Sequence, residues 1–425
     1  MQKYLLALFL LASLPLSPIC AQGNAQAYTE RHSFLSTYLQ EERSFQVYLP
    51  PSYFYNDKSN FPVIYLIDGD YNFYYDTGLI EFMSSVSCKI PEMIVVGISD
   101  RGNEGYRRDC TPTASEGNAD NFMDFIEKEL KAQIKQRYRT SDYDLLIGHS
   151  LGGFFATHFL LQRPKAFDTY IAIDPSYWWG DYEISSRADS LFAEKEDLDA
   201  QLFISLASTK MMGVRQFVGV LDKHFPNSTK WDFQHYPEEN HGSVGIVTVK
   251  HALRSLFKGW DLSREEFLAL KGAKAVVEHY KQLSDKFSTS FPLPAYAMGN
   301  MVYYYHREDK AELEIFEKGV EEYFPSSLDE FRIQVARNYL SKEEHDQAEA
   351  IYKLQIQNDL LSFRSYEGLA KIYQQKGELA KAQSMSAKAV EAAKKAKVRQ
   401  WQLNEILSTH RKIQNGFQGD DLNNN

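Results

Sequence analysis

Between residues 43 and 260 the chain alternates two kinds of pattern. Short apolar runs ("SFQVYLP", "FPVIYLID", "MIVVGIS", "YDLLIGH", "TYIAID", "QLFISLA" and "WDFQHYP") are separated by stretches with helical spacing. Several runs are continuously apolar, as expected of parallel strands covered on both faces. Between them, Phe122, Phe125, Ile126, Leu130 and Ile134 recur at helical intervals, which predicts one buried stripe. Strands alternating with helices predict an α/β domain built on a parallel sheet with right-handed crossovers. "SFQVYLPPSY" ends on Pro50–Pro51; proline cannot donate to a ladder, so this run is placed as an early, edge-lying strand.

After "LFKGWDLS" the strand signal stops and the rest reads as helix. At a spacing of 34, Val335, Ala336, Tyr339 and Ala348 superpose on Leu369, Ala370, Tyr373 and Ala382, with Gly377 where a helix pair would turn. Small residues where helices cross and an aromatic on the packing face resemble the tetratricopeptide pattern. A weaker third unit runs from Tyr296 to Pro325, with Gly299, Tyr305 and Phe316 in similar roles. The expected organisation is a leader at 1–21, an α/β domain at 27–260, a linker helix region at 261–290, helical repeats at 291–415 and a disordered tail at 416–425.

A length of 425 residues suits two domains, and 44% hydrophobic against 24% charged residues is enough for large cores. A net charge of −10 argues against nucleic acid and anionic membranes as partners, since both need a basic face. Lys3, the apolar "YLLALFLLASLPL" and the small residues around Cys20–Ala21 read as a secretory signal peptide, so the protein is expected to be exported, to the periplasm or beyond. No later stretch is apolar enough to span a membrane. Export leaves Cys88 and Cys110, equally compatible with a bridge or with buried thiols. No metal-ligand spacing occurs, so neither metal nor cofactor is expected.

The chemistry gathers at "YDLLIGHSLGGFFATHFLLQ", where a strand pattern runs through Gly148, His149, Ser150, Leu151 and Gly152 into a helix pattern. G-x-S-x-G between a strand and a helix is a nucleophile elbow, a turn that lifts the serine hydroxyl out of the packing. Gly148 and Gly152 are needed where backbone segments crowd the turn, and Gly153 lets the helix sit close to the sheet. A serine hydroxyl needs a general base and oxyanion donors. Of His158, His224, His235, His241 and His251, only His241 lies in a polar turn beyond the last strand ("YPEENHGSVG"), where an imidazole can reach the strand ends. His149 is read as shaping the turn.

"YLIDGD", "RRDCTPT", "GHSLGGFFA", "DPSYWW" and "ENHGSV" together resemble the esterase group of α/β hydrolases that includes esterase-D-type and enterochelin-esterase-like enzymes. The resemblance covers roughly residues 30–260 and implies an α/β-hydrolase fold, a serine carboxylesterase reaction, Ser150 as nucleophile and His241 as base. Both lines of argument expect the oxyanion donors at the Leu151 N–H and at Asp70 or Tyr71, after the strand "VIYLID". The acid of the triad is left open. Its usual home after "QLFISLA" holds Ser208, Thr209 and Lys210, so Asp174, Glu238 or Glu239, or no acid at all, are the alternatives. Tyr177, Trp178 and Trp179 are candidate pocket walls, and Arg107, Arg108 and Asp109 are read as a loop brace.

The main expectation is an exported hydrolase acting on a small-molecule or glycan ester through an acyl-enzyme. Two readings compete with it: a protein-interaction module whose repeats contact peptides beside a vestigial hydrolase half, and acyl transfer to a sugar or alcohol.

Overall fold

The computed structural model describes residues 28–112 and 117–416. The expected leader and nearly all of the expected tail lie outside the described residues.

Eight strands make one sheet in the order β1-β2-β4-β3-β5-β6-β7-β8. They are β1 (Thr29–Leu35), β2 (Glu42–Tyr48), β3 (Phe61–Leu66), β4 (Ile94–Ile98), β5 (Thr140–His149), β6 (Thr169–Ile173), β7 (Gln201–Leu206) and β8 (Trp231–His235). From β4 to β8 all pairs are parallel, while β1 and β2 run antiparallel. The apolar runs at β3, β4 and β6 are buried along their whole length, as strands covered on both faces must be.

"SFQVYLP" is not an edge strand. β1 pairs outside β2, with Thr29 opposite Tyr48 and Leu35 opposite Glu42. β1 reads TERHSFL and is largely exposed, so an apolar-run criterion passes over it. Pro50 and Pro51 fall past the end of β2, and Pro51 opens a short turn at Pro51–Phe54.

Helices cover both faces. α1 (Gly69–Glu81) follows β3 and α2 (Gly102–Cys110) follows β4. α3 (Ala119–Asp124) runs through a wide turn at Phe125–Leu130 into α4 (Lys131–Arg137). The predicted stripe lies here: Phe122, Phe125, Ile126, Leu130 and Ile134 are all buried. α5 (Leu151–Gln162), α6 (Trp179–Phe192), α7 (Val214–His224) and α8 (Val244–Leu256) follow β5, β6, β7 and β8. Alternation along the strands divides the core in two. Val63, Tyr65 and Val96 pack with α3, α4, α5 and α7. Ile64, Leu66 and Val95 pack with Phe73 and Ile80 of α1 and with Val249 and Leu253 of α8.

The remaining helices are α9 (Arg264–Ala269), α10 (Ala273–Lys286), α11 (Ala295–Glu308), α12 (Lys310–Tyr323), α13 (Leu328–Ser341), α14 (His345–Asn358), α15 (Phe363–Gln375), α16 (Leu379–Lys395) and α17 (Gln400–Gln414). Ala336, Ala348, Ala370 and Ala382 are fully buried in one core shared by α13 to α16. Gly377 turns between α15 and α16 at φ +74. This helical part docks on the sheet near β1 and β2. Arg399 lies 3.5 Å over the Tyr28 ring and pairs with Glu81, while the Tyr28 hydroxyl donates to the Val398 carbonyl at 2.9 Å. Among the described residues no helix is long and apolar enough to cross a membrane.

Candidate active site

β5 and β6 are parallel neighbours, with Gly148 opposite Ala172 and His149 opposite Ile173. Their C-terminal ends therefore place Ser150 beside Asp174. Ser150 has φ 55 and ψ −115, a backbone conformation that L-residues avoid. Surrounding bonds hold it there: its N–H donates to the Ile173 carbonyl at 2.9 Å, and its carbonyl accepts from the Ser176 N–H at 2.9 Å. Gly148 is required by the same turn, because a Cβ there would lie 2.1 Å from the Gly152 carbonyl oxygen.

His241 stands in the turn between β8 and α8. Its Nδ1 is 2.6 Å from Asp174 Oδ2. The other carboxylate oxygen of Asp174 accepts from the Ala207 N–H at 3.1 Å and the Thr209 hydroxyl at 2.8 Å. Burial works to raise the Asp174 pKa, but these three bonds to the charged form outweigh it and hold the group below its ordinary value. Asp174 thus remains a carboxylate facing an imidazole. Glu239 is engaged elsewhere, accepting from the Ser243 hydroxyl.

The other histidines are used differently. His158 is buried between Gln162 and Arg187. His224 pairs with Asp189, His235 with Arg215 and His251 with Asp232. His149 is buried with its ring centre 4.5 Å from that of His241. Burial, with the neighbouring His241 adding to it, pulls its pKa down to about 4, so this ring is neutral near pH 7. The Ser150 hydroxyl has its hydrogen bond with Ser176 Oγ, at 3.2 Å.

On the oxyanion side the N–H groups of Leu151 and Asp70 have no acceptor among the described residues. The Tyr71 N–H is excluded: it donates to the Asp68 carbonyl at 3.0 Å in the first turn of α1. The Asp70 carboxylate braces its loop by accepting from the Ser99 hydroxyl at 2.6 Å and the Asp100 N–H at 3.1 Å. Gly69 allows α1 to start against β4, since a Cβ there would sit 2.4 Å from the Gly97 carbonyl carbon.

Tyr177 is not a pocket wall. It is fully buried, with its hydroxyl 2.6 Å from Thr157 Oγ1 and its ring 4.7 Å from Phe217. Trp179 is half-buried with Arg107 5.8 Å over its ring, and Trp178 alone of the three stays exposed. Asp109 is a brace, paired with Arg108 and with the fully buried Arg43.

Sequence reading missed a second support. The Tyr106 hydroxyl accepts from the Gly152 N–H at 2.6 Å and donates to the His149 carbonyl at 2.8 Å, clamping both sides of the elbow. Next to it Asp68 is buried, and burial pushes its carboxyl up to about 8 against the pull of Tyr106. A tyrosine in "NEGYRRDC" carries no local mark of such a role. Ser176 lies in "DPSYWW", and a serine there carries no local mark of its contact with the Ser150 hydroxyl. Among the described residues no cluster of three or more His, Cys, Asp or Glu could hold a metal ion.

Residues 36–229 match the family model described as "Putative esterase". Ferri-bacillibactin esterase BesA of Bacillus subtilis (strain 168) is 27% identical over 249 residues, 50% of this chain and 85% of that protein. Siderophore triacetylfusarinine C esterase of Aspergillus fumigatus is 31% identical over 179 residues, 38% of this chain and 61% of that protein. The crystal structure of an IroE-like serine hydrolase from Shewanella oneidensis superposes with a TM-score of 0.58 at 27% identity, covering 68% of this chain and 98% of that one. Together these matches support an enterochelin-esterase-like family for the α/β part of the chain, and with it a carboxylic ester hydrolase.

Proposed function

We propose that the protein is an exported serine carboxylic ester hydrolase working through an acyl-enzyme. The observation that carries this reading is the strained Ser150 elbow on the strand next to the buried Asp174, which pairs with the solvent-reachable His241. In this reading the Ser150 hydroxyl exchanges its Ser176 partner for His241 Nε2 when an ester binds. Ser150 Oγ attacks the carbonyl carbon as its proton passes to His241. The oxyanion forms against the Leu151 and Asp70 N–H groups, and Asp174 stabilises the imidazolium. His241 then gives the proton to the leaving alcohol, and water repeats the sequence on the acyl-enzyme. The carboxylate of Asp174 beside His241 Nδ1 favours this reading over a vestigial hydrolase half.

The names of the relatives make siderophore-type esters the first substrate class to try. We read the helical part as tetratricopeptide-like, supported by the buried alanines repeating at 34. A fluorophosphonate probe should label the wild-type chain and not Ser150→Ala. The same variant should lose hydrolysis of short p-nitrophenyl esters while keeping its Tm. Turnover surviving in Ser150→Ala would refute the mechanism.

A further inference from the structure

The nucleophile elbow and the loop expected to hold the oxyanion meet on one phenol hydroxyl. Tyr106 Oη accepts from the Gly152 N–H at 2.6 Å and donates to the His149 carbonyl at 2.8 Å, so its single proton is already committed. The Asp68 carboxyl also bonds to this hydroxyl. The three groups close on one point: a Cβ on Gly152 would lie 3.2 Å from Tyr106 Oη and 3.3 Å from Asp68 Oδ2. A hydroxyl that has given its proton away can only accept, so its remaining partner must donate. A carboxyl donates only when it is protonated.

The surroundings favour that form. Asp68 is buried at the N-terminal end of α1, and the charges that act on it are those of Asp70 and Asp100, both negative. Tyr75 of α1 and Cys110 of α2, which also face it, are neutral at pH 7, and the elbow presents the uncharged Gly152. Burial and the two carboxylates push its pKa up to about 8. Its place along the chain gives the bond a consequence. Asp68 stands two residues before Asp70, and Tyr106 grips the residues on either side of Ser150 and Leu151. Ser150 at φ 55 keeps its conformation only while bonds around it hold the turn.

We infer that Asp68 and Tyr106 are positioning residues of the esterase site: the Asp68 carboxylic acid donates to Tyr106 Oη, which aims the phenol proton at the His149 carbonyl and locks the elbow to the oxyanion loop. This role rests on the serine mechanism proposed above. Loss of the Asp68 proton reverses the bond. The carboxylate is the stronger acceptor and takes the phenol proton, and the His149 carbonyl loses its donor. The site is locked below about pH 8 and loosened above it.

The test is the pH profile of kcat for hydrolysis of a short p-nitrophenyl ester by the full chain from pH 7 to 9.5, corrected for the uncatalysed rate, with Tm at each pH as the folding control. Wild-type kcat should fall about tenfold across this range, with KM within about threefold. Asp68→Asn keeps an N–H donor toward Oη and has no proton to lose, so its kcat should change by less than about twofold over the same range. Tyr106→Phe should lower kcat about tenfold at pH 7 and flatten the profile as well. An infrared difference spectrum between wild type and Asp68→Asn should carry a protonated-carboxyl band at pH 7 that gives way to carboxylate by pH 9.5. That readout needs no turnover and stands even where Tyr106→Phe fails to fold. An alkaline fall that persists in Asp68→Asn, a level wild-type profile, or a carboxylate band for Asp68 already at pH 7 would overturn the inference. Turnover surviving in Ser150→Ala would remove the mechanism beneath it; an inactive Ser150→Ala beside an Asp68→Asn that still falls would remove this role alone.

Discussion

Replacing Asp174 by asparagine tests the part of the site on which the mechanism depends most. The carboxylate is fixed from two sides. One oxygen accepts from the Ala207 N–H and the Thr209 hydroxyl, and the other faces His241 Nδ1 at 2.6 Å. An asparagine keeps the first pair of bonds only by turning its carbonyl oxygen toward Ala207 and Thr209. Its NH₂ then faces His241, whose Nδ1 must become an acceptor. The proton moves to Nε2, the nitrogen that has to receive the Ser150 proton. Imposing the wrong tautomer in a serine hydrolase costs on the order of 10⁴ in kcat. That is about 5 kcal/mol of transition-state stabilisation at 1.36 kcal/mol per tenfold. The assay is steady-state hydrolysis of a short p-nitrophenyl ester, with Tm and circular dichroism as folding controls. We expect kcat to fall by about three to four orders of magnitude, with KM changed much less. A folded Asp174→Asn enzyme retaining kcat within about tenfold of wild type would refute the reasoning and point to a Ser–His dyad or another acid.

Three further outcomes follow from the packing. Asp109→Ala takes one of two carboxylates from the fully buried Arg43, which keeps Glu41 at 3.1 Å, so urea unfolding should show a loss of about 1–3 kcal/mol, and pairing it with Arg43→Met should recover part of that loss. Gly148→Ala drives a Cβ to 2.1 Å from the Gly152 carbonyl oxygen, and we expect loss of ester hydrolysis with a clear fall in Tm, read by differential scanning fluorimetry. Asp76 is buried with both carboxyl oxygens unpartnered, and burial pushes its pKa up to about 8 from 3.8. The folded chain therefore holds a proton that the unfolded chain has released. Stability from this group is complete below about pH 4, declines as pH rises toward 8, and is flat above. Asp76→Asn should flatten that slope and gain about 1–3 kcal/mol at pH 9 relative to wild type, measured by urea denaturation at pH 5 and pH 9. An unchanged pH slope would show that Asp76 is not the group responsible.

What could be read from the chain alone was whatever is encoded over short distances. The α/β alternation, the stripe from Phe122 to Ile134 and the glycines around Ser150 follow from side-chain periodicity and from steric limits on one turn. His241 could be singled out as the candidate base for a similar reason: it sits in a polar turn just past a strand, and that placement needs no knowledge of its neighbours. β1 was not, because an edge strand exposed along much of its length has no apolar run to declare it, and pairing with β2 is what makes it a strand. The acid stayed open among Asp174, Glu238, Glu239 and no acid at all because the answer depends on how far β6 projects toward the turn after β8. That distance is set by the register of β6 and β7, with Thr169 opposite Gln201, and local composition does not carry it. Tyr71, Tyr106 and Tyr177 make the same point. The first turn of α1 occupies the Tyr71 N–H, α2 brings Tyr106 under the elbow, and α7 buries Tyr177 against Phe217. Which aromatic becomes wall, clamp or core was decided when the helices settled on the sheet, because contact between residues far apart in sequence exists only once the elements between them have a fixed geometry.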